Sequence, residues 1–150
     1  MKPLFFILML HLNIQGTAQT EQDKQAIKKV IISFQDDFND GSFKNAEQYT
    51  TEDWVHINPL GGIDKGQKDV LKVVREVHKT FLKGVTMNMT QLSMRFITQD
   101  AVIADVVHNV SNYTTPDGTK HENERHVKTY VVVRKKGKWL LTHDHNTIVL

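Results

Sequence analysis

"KTYVVVRKKGKWLLTHDHNT", Lys128 to Thr147, decides how this chain folds. Two stretches of alternating residues meet at Lys135, Lys136 and Gly137, and β-branched and aromatic side chains crowd both arms. Period-two alternation around a glycine-containing turn predicts an antiparallel hairpin. The same period runs upstream. Val85–Thr98, Ala101–Thr114 and Lys120–Arg134 alternate in the same way, and Lys138–Val149 is the last arm. The separators "QD", "PDG" and "KKG" are turn signals, so the second half of the chain reads as a four-strand meander.

The first half has a different period. In "TEQDKQAIKKVIISFQDDFNDG", Ile27, Val30, Ile31, Phe34 and Phe38 recur at helical spacing, with Thr20 and Asp23 as a capping pair and Gly41 as the stop. A short helix is expected over Phe43–Tyr49, and "DWVHINPLGG" reads as a short strand and turn. A second long helix is expected from Lys65 to Leu82, with Val70, Val73, Val74, Val77 and Phe81 as its apolar stripe.

The element order is therefore helix, short helix, short strand, helix and meander. A long sheet beside two amphipathic helices buries its apolar face by wrapping over them, which is an α+β arrangement. A curled sheet cannot be filled to its tip by helices, and the hollow left behind is where small molecules bind.

On this order, on "INPLGGIDKGQKDVL" leading from the first strand into the long helix, and on the closing "KTYVVVRKKGKWLLTHDHNT", the chain resembles the nuclear transport factor 2-like superfamily. This is the cone-shaped, cystatin-like α+β fold shared by ketosteroid isomerases and SnoaL-like polyketide cyclases. The resemblance spans Gln19 to Leu150 and is nearest to small exported members of the isomerase-like branch. It implies a curved antiparallel sheet around two long helices and one short one, with a central pocket. Ketosteroid isomerases place an aspartate base and an acidic hydrogen-bond donor there. Here Asp105, Tyr113 and Tyr130 fall on strand faces read as exterior, so that pair is not matched.

Composition bounds the rest. "MKPLFFILMLHLNIQGTA" (residues 1–18) has a single positive charge at Lys2, an apolar centre and small residues at Gly16 and Ala18, the layout of a bacterial secretory signal peptide. Residues 19–150 are then one mature domain, exported to the periplasm or secreted and free of the membrane once the leader is removed. The chain has no cysteine, so neither a disulfide nor a thiolate metal site is available. Net charge is +2, or +1 once Lys2 is lost, too balanced for nucleic acid as a partner.

Which strand faces turn inward decides the chemistry. In the last strand Trp139, Leu141, His143, His145 and Thr147 share a face, and the apolarity of the first two points it to the interior. In the strand before it Val127, Thr129, Val131 and Val133 form the apolar face, and in Ala101–Thr114 it is Val102, Ala104, Val106, His108 and Val110. In the first strand the inward set is either Trp54, His56 and Asn58 or Val55 and Ile57. Leu140, Val132 and Tyr130 are then exterior, a face that a homodimer would cover.

Three roles fit such interior imidazoles. A neutral histidine in a half-apolar cavity can take or relay a proton near neutral pH. His143 and His145, with Cα atoms about 6.5 Å apart on one strand, could instead share a metal, although no full ligand spacing accompanies them. Or the hollow holds a small hydrophobic molecule without chemistry. We expect an exported, small-molecule-binding domain with no cofactor or metal. Its pocket would be formed by His56, Trp54, Thr129, Val131, Trp139, Leu141, His108, Phe34 and Phe38. If a reaction is run, an isomerase, cyclase or dehydratase-like one, His145 or His143 would move the proton while Thr129 and His56 orient the substrate.

Overall fold

The computed structural model describes residues 20–149; the leader assigned to residues 1–18 lies outside them. Helix α1 runs Glu21–Asp40, α2 Ala46–Tyr49 and α3 Gln67–Lys79. The strands are β1 Thr50–Ile57, β2 Ile63–Lys65, β3 Met87–Thr98, β4 Ala101–Val110, β5 Tyr113–Thr114, β6 Lys120–His121, β7 Glu124–Lys135 and β8 Lys138–Val149. Local chemistry sets the ends of α1. The Thr20 hydroxyl accepts from the Asp23 amide, the Asp23 carboxylate accepts from the Thr20 amide, and Gly41 ends the helix at φ 74°.

The main sheet has the order β2-β1-β8-β7-β4-β3 and is not closed. β1 runs parallel to β8, and the other neighbours are antiparallel. Lys136 and Gly137 both take positive φ (51° and 77°), which lets a two-residue turn follow the sheet's own twist. The expected strands Ala101–Thr114 and Lys120–Arg134 are each broken. Their distal ends form a separate small hairpin, β5–β6, beyond a kink that includes Asn123 at φ 47°.

Ile27, Val30, Ile31 and Phe34 of α1 and Val70, Leu71 and Val74 of α3 pack into the concave face of the sheet against Trp54, Val102, Val106, Tyr130, Val132 and Leu141. The β4 face turned inward is the expected one: Val102, Ala104, Val106, His108 and Val110 are all buried. Residues directly opposite in a ladder share a face. These five pair with Val132, Tyr130, Lys128, His126 and Glu124. The inner side of β7 is thus His126, Lys128, Tyr130 and Val132, and the expected set Val127, Thr129, Val131 and Val133 lies outside. Alternation placed the two sets correctly on opposite sides. Apolarity then chose the wrong one, because the inner face gives up hydrophobicity to line a polar-bottomed cavity. Val132 and Tyr130 are consequently not part of the outer surface.

β8 changes face midway. Leu141 pairs with Val132 and His143 with the adjacent Val131, so Thr142 is an extra residue on β8, a β-bulge. Slipping a strand by one residue turns every later side chain over. Trp139 and Leu141 point into the core as expected. Beyond the bulge Asp144, Asn146 and Ile148 take the inner positions, while His143 and His145 lie on the outer face, His145 exposed.

Candidate functional site

A cavity of about 560 Å³ lies between the helices, the concave sheet and the β5–β6 hairpin. Its walls are mostly apolar: Phe34 and Phe38 from α1, Val74 and Val77 from α3, then Phe81, Met87, Val110 and Ile148. The loop carrying Pro59 and Leu60 and the hairpin residues Thr115 to Thr119 form its rim, where Leu60 is 92% exposed.

The polar floor is built on Asp144, which the Thr142 bulge turns inward and which is 0% exposed. Its Oδ1 accepts from the Trp54 indole at 2.8 Å. Its Oδ2 lies 2.8 Å from His56 Nδ1 and 2.8 Å from Lys128 Nζ. Burial would raise this carboxyl, but the Lys128 ammonium and the His56 contact outweigh it and hold Asp144 well below the usual carboxylate range. Asp144 is therefore ionised and can only accept, so Nδ1 of His56 carries the proton that it donates. In neutral His56 the lone pair is left on Nε2, which has no hydrogen-bond partner among the described residues and belongs to a side chain lining the cavity. Lys128 also lines the cavity, and its ammonium sits 4.2 Å above the Phe34 ring.

A second carboxylate, Glu124, accepts from three groups near the hairpin. His121 Nδ1 lies at 2.7 Å from Oε1, with His126 Nε2 at 3.1 Å and the Tyr113 hydroxyl at 3.2 Å from Oε2. Asn146 donates to His126 Nδ1 at 3.0 Å, and Tyr113 stacks on His121 with ring centroids 4.3 Å apart. Burial pushes Glu124 up, but its two histidines prevail and its pKa is lowered; burial lowers that of His126.

Of the residues expected to line the pocket, His56, Phe34 and Phe38 do so. The others do not. Trp54 is buried beneath Asp144 and positions it. Thr129 lies on the outer face, donating to Asp105 at 2.6 Å, and Val131 is beside it. Trp139 and Leu141 pack in the core away from the cavity, Trp139 edge-on to Phe96 and hydrogen-bonded to Asp23. His108 is interior as expected but sealed in the core. Its Nε2 is 3.2 Å from the Tyr130 hydroxyl, and burial, with Lys128 and His126 adding to it, pushes it down to about 3. The outer placement of His143 and His145 removes them from the cavity and from proton transfer inside it.

Asp144, Lys128, His121, Glu124 and His126 escaped the sequence reading, as did His78. His78, on α3, is buried between Phe38 and Phe43. Only the pairing of β4 with β7 could have signalled the inward turn of Lys128 and His126.

A family model described as "SnoaL-like domain" matches residues 27–150. The chain belongs to the SnoaL-like domain family, within the nuclear transport factor 2-like superfamily. Solved structures agree on the fold. This SnoaL-like chain is similar to an uncharacterized protein with a cystatin-like fold from Caulobacter vibrioides (23% identity, 86% of this chain and 91% of that chain, TM-score 0.82). It is also similar to a domain of unknown function with a cystatin-like fold from Nostoc punctiforme (23% identity, 87% and 80%, TM-score 0.74). A hexachlorocyclohexane dehydrochlorinase from Novosphingobium barchaimii superposes with TM-score 0.73 at 16% identity, over 86% of this chain and 88% of that chain. Among curated proteins nothing matches.

Proposed function

We propose that this SnoaL-like domain binds a small apolar molecule in its central cavity and takes a proton from it with His56. The observation that carries the reading is the buried Asp144 carboxylate fixed on His56 Nδ1, which leaves the basic Nε2 without a partner among the described residues on a side chain lining an apolar cavity. A base oriented by a carboxylate is the arrangement that proton abstraction needs. Lys128 supports it, since the N–H bonds it does not use on Asp144 can meet a carbonyl oxygen and stabilise the charge that develops there. A dehydrochlorinase on the same fold, whose name denotes loss of HCl, is consistent with elimination chemistry in such a cone.

The reading includes export, from the leader-like residues 1–18, and a homodimer. The support for the dimer is the outer sheet face, where Val127, Val131 and Val133 lie half-buried beside Ile103 and Val107, with Ile97 49% exposed at one side. No group of three potential metal ligands occurs among the described residues, so proton transfer by His56 is favoured over the metal reading.

The test uses benzylacetone, an apolar methyl ketone, in D₂O. Exchange of its α-protons, followed by NMR, is expected to be accelerated by the protein and reduced about 100-fold by His56→Asn. No acceleration, or full acceleration by the variant, contradicts the proposal.

A further inference from the structure

The cavity holds two imidazoles of the same design. His56 from β1 and His121 from β6 both line it, both have Nδ1 within 2.8 Å of a carboxylate oxygen, and neither Nε2 has a hydrogen-bond partner among the described residues. Their carboxylates differ. Asp144 is shared with the Lys128 ammonium, so a proton on His56 would add an uncompensated positive charge to a largely apolar cavity. Glu124 has only His121 and His126 as basic partners within 4 Å among the described residues, so a proton on one of those rings neutralises it. Burial disfavours charge on His126, both of whose nitrogens are already hydrogen-bonded. Around His121 stand Glu124 and His126 of β7 and Tyr113 of β5, and Asp64 and Asp117 are the acidic groups of the cavity wall.

Resting on the His56 reading, we infer that His121 is the general acid opposite that base, and that the substrate is a neutral, apolar β-hydroxy carbonyl compound from which the pocket eliminates water. The carbonyl oxygen meets Lys128. His56 Nε2 takes the proton from the carbon between the carbonyl and the hydroxyl-bearing carbon. The C–H electron pair becomes the C=C bond, the C–O bond breaks with its pair on oxygen, and His121 Nε2–H supplies the proton that makes that oxygen water. His56 ends protonated and His121 neutral, solvent restores both, and no redox partner is needed. The acidic groups of the wall, Asp64 and Asp117, disfavour an anionic substrate.

The experiment compares two probes on the full chain: the aldol of benzaldehyde and acetone, which must lose water, and its acetate ester. Acetate leaves without a proton. Both give the same enone, followed by ultraviolet absorbance. His121→Asn is expected to slow the aldol about 100-fold and the ester only a few-fold, while His56→Asn slows both about equally. Equal losses on both probes in His121→Asn, or no loss on the aldol, overturn the general-acid assignment and leave the base intact. If His56→Asn slows neither, or the wild type accelerates neither, the base reading itself fails and the inference with it. Because the ratio of the two rates is read within one variant, a partly unfolded preparation cannot mimic the expected result.

Discussion

His56 and Asp144 face each other across the parallel β1–β8 ladder, with Nδ1 2.8 Å from Oδ2. The contact orients the ring and fixes its tautomer, so the carboxylate matters to proton transfer without touching the ligand. Asp144→Asn is therefore expected to lower benzylacetone exchange about 100-fold. It should also cost about 3–5 kcal/mol of stability in denaturant unfolding, because Lys128 is left as an uncompensated buried charge.

The Asp144–Lys128 pair is testable by a double-mutant cycle. Lys128→Met strands a buried carboxylate as Asp144→Asn strands an ammonium, whereas the double variant strands neither charge. The double variant is expected to be more stable than the sum of the single losses by about 2 kcal/mol or more. Additive losses would show that the two groups do not interact.

Acid should destabilise the fold in two stages. His108 is held neutral down to about 3 in the folded protein, while the unfolded ring titrates near its ordinary 6.5. Between these values the unfolded chain binds the extra proton, so stability falls as pH drops from 6.5 towards 3, by on the order of 4 kcal/mol at most from this ring. The lowered pKa values of His78 and His126 act in the same direction. Asp144, depressed in the fold, contributes stability that is lost as pH falls below its unfolded value of about 3.9. Unfolding midpoints measured against pH should show this slope, and His108→Gln should flatten the part above pH 4.

His143→Ala and His145→Ala test the strand reversal at Thr142. Both rings lie on the outer face, so benzylacetone exchange should stay within about two-fold of wild type and stability within about 0.5 kcal/mol. A 100-fold loss in either variant would mean that β8 keeps one face throughout.

Val131→Glu places a charge in the outer valine face without approaching the cavity. It is expected to convert a dimer to a monomer in sedimentation and to leave exchange intact. A variant that sediments as the wild type does would remove this face as the dimer surface.

The element order, the capped α1, the hairpin turn at Gly137 and the inward face of β4 were all legible in the sequence, because each rests on local spacing or turn chemistry. The site was legible only in part. Strand periodicity offered His56 only as part of one of two inward sets for β1, whereas Phe34 and Phe38 follow from helical periodicity. Asp144 does not, since one bulged residue inverts the alternation that places it. Nor does Lys128, because a lysine between Val127 and Thr129 on an alternating strand reads as solvent-facing until its pairing with Val106 fixes the side.

The tautomer of His56 is read out by ¹⁵N NMR of its ring in the wild-type protein at pH 8, assigned by comparison with His56→Asn. The expected form carries hydrogen on Nδ1 and a bare Nε2, and shifts toward the ordinary Nε2–H form in Asp144→Asn. An Nε2–H tautomer in the wild type would leave the cavity without its base and rule out proton abstraction by His56.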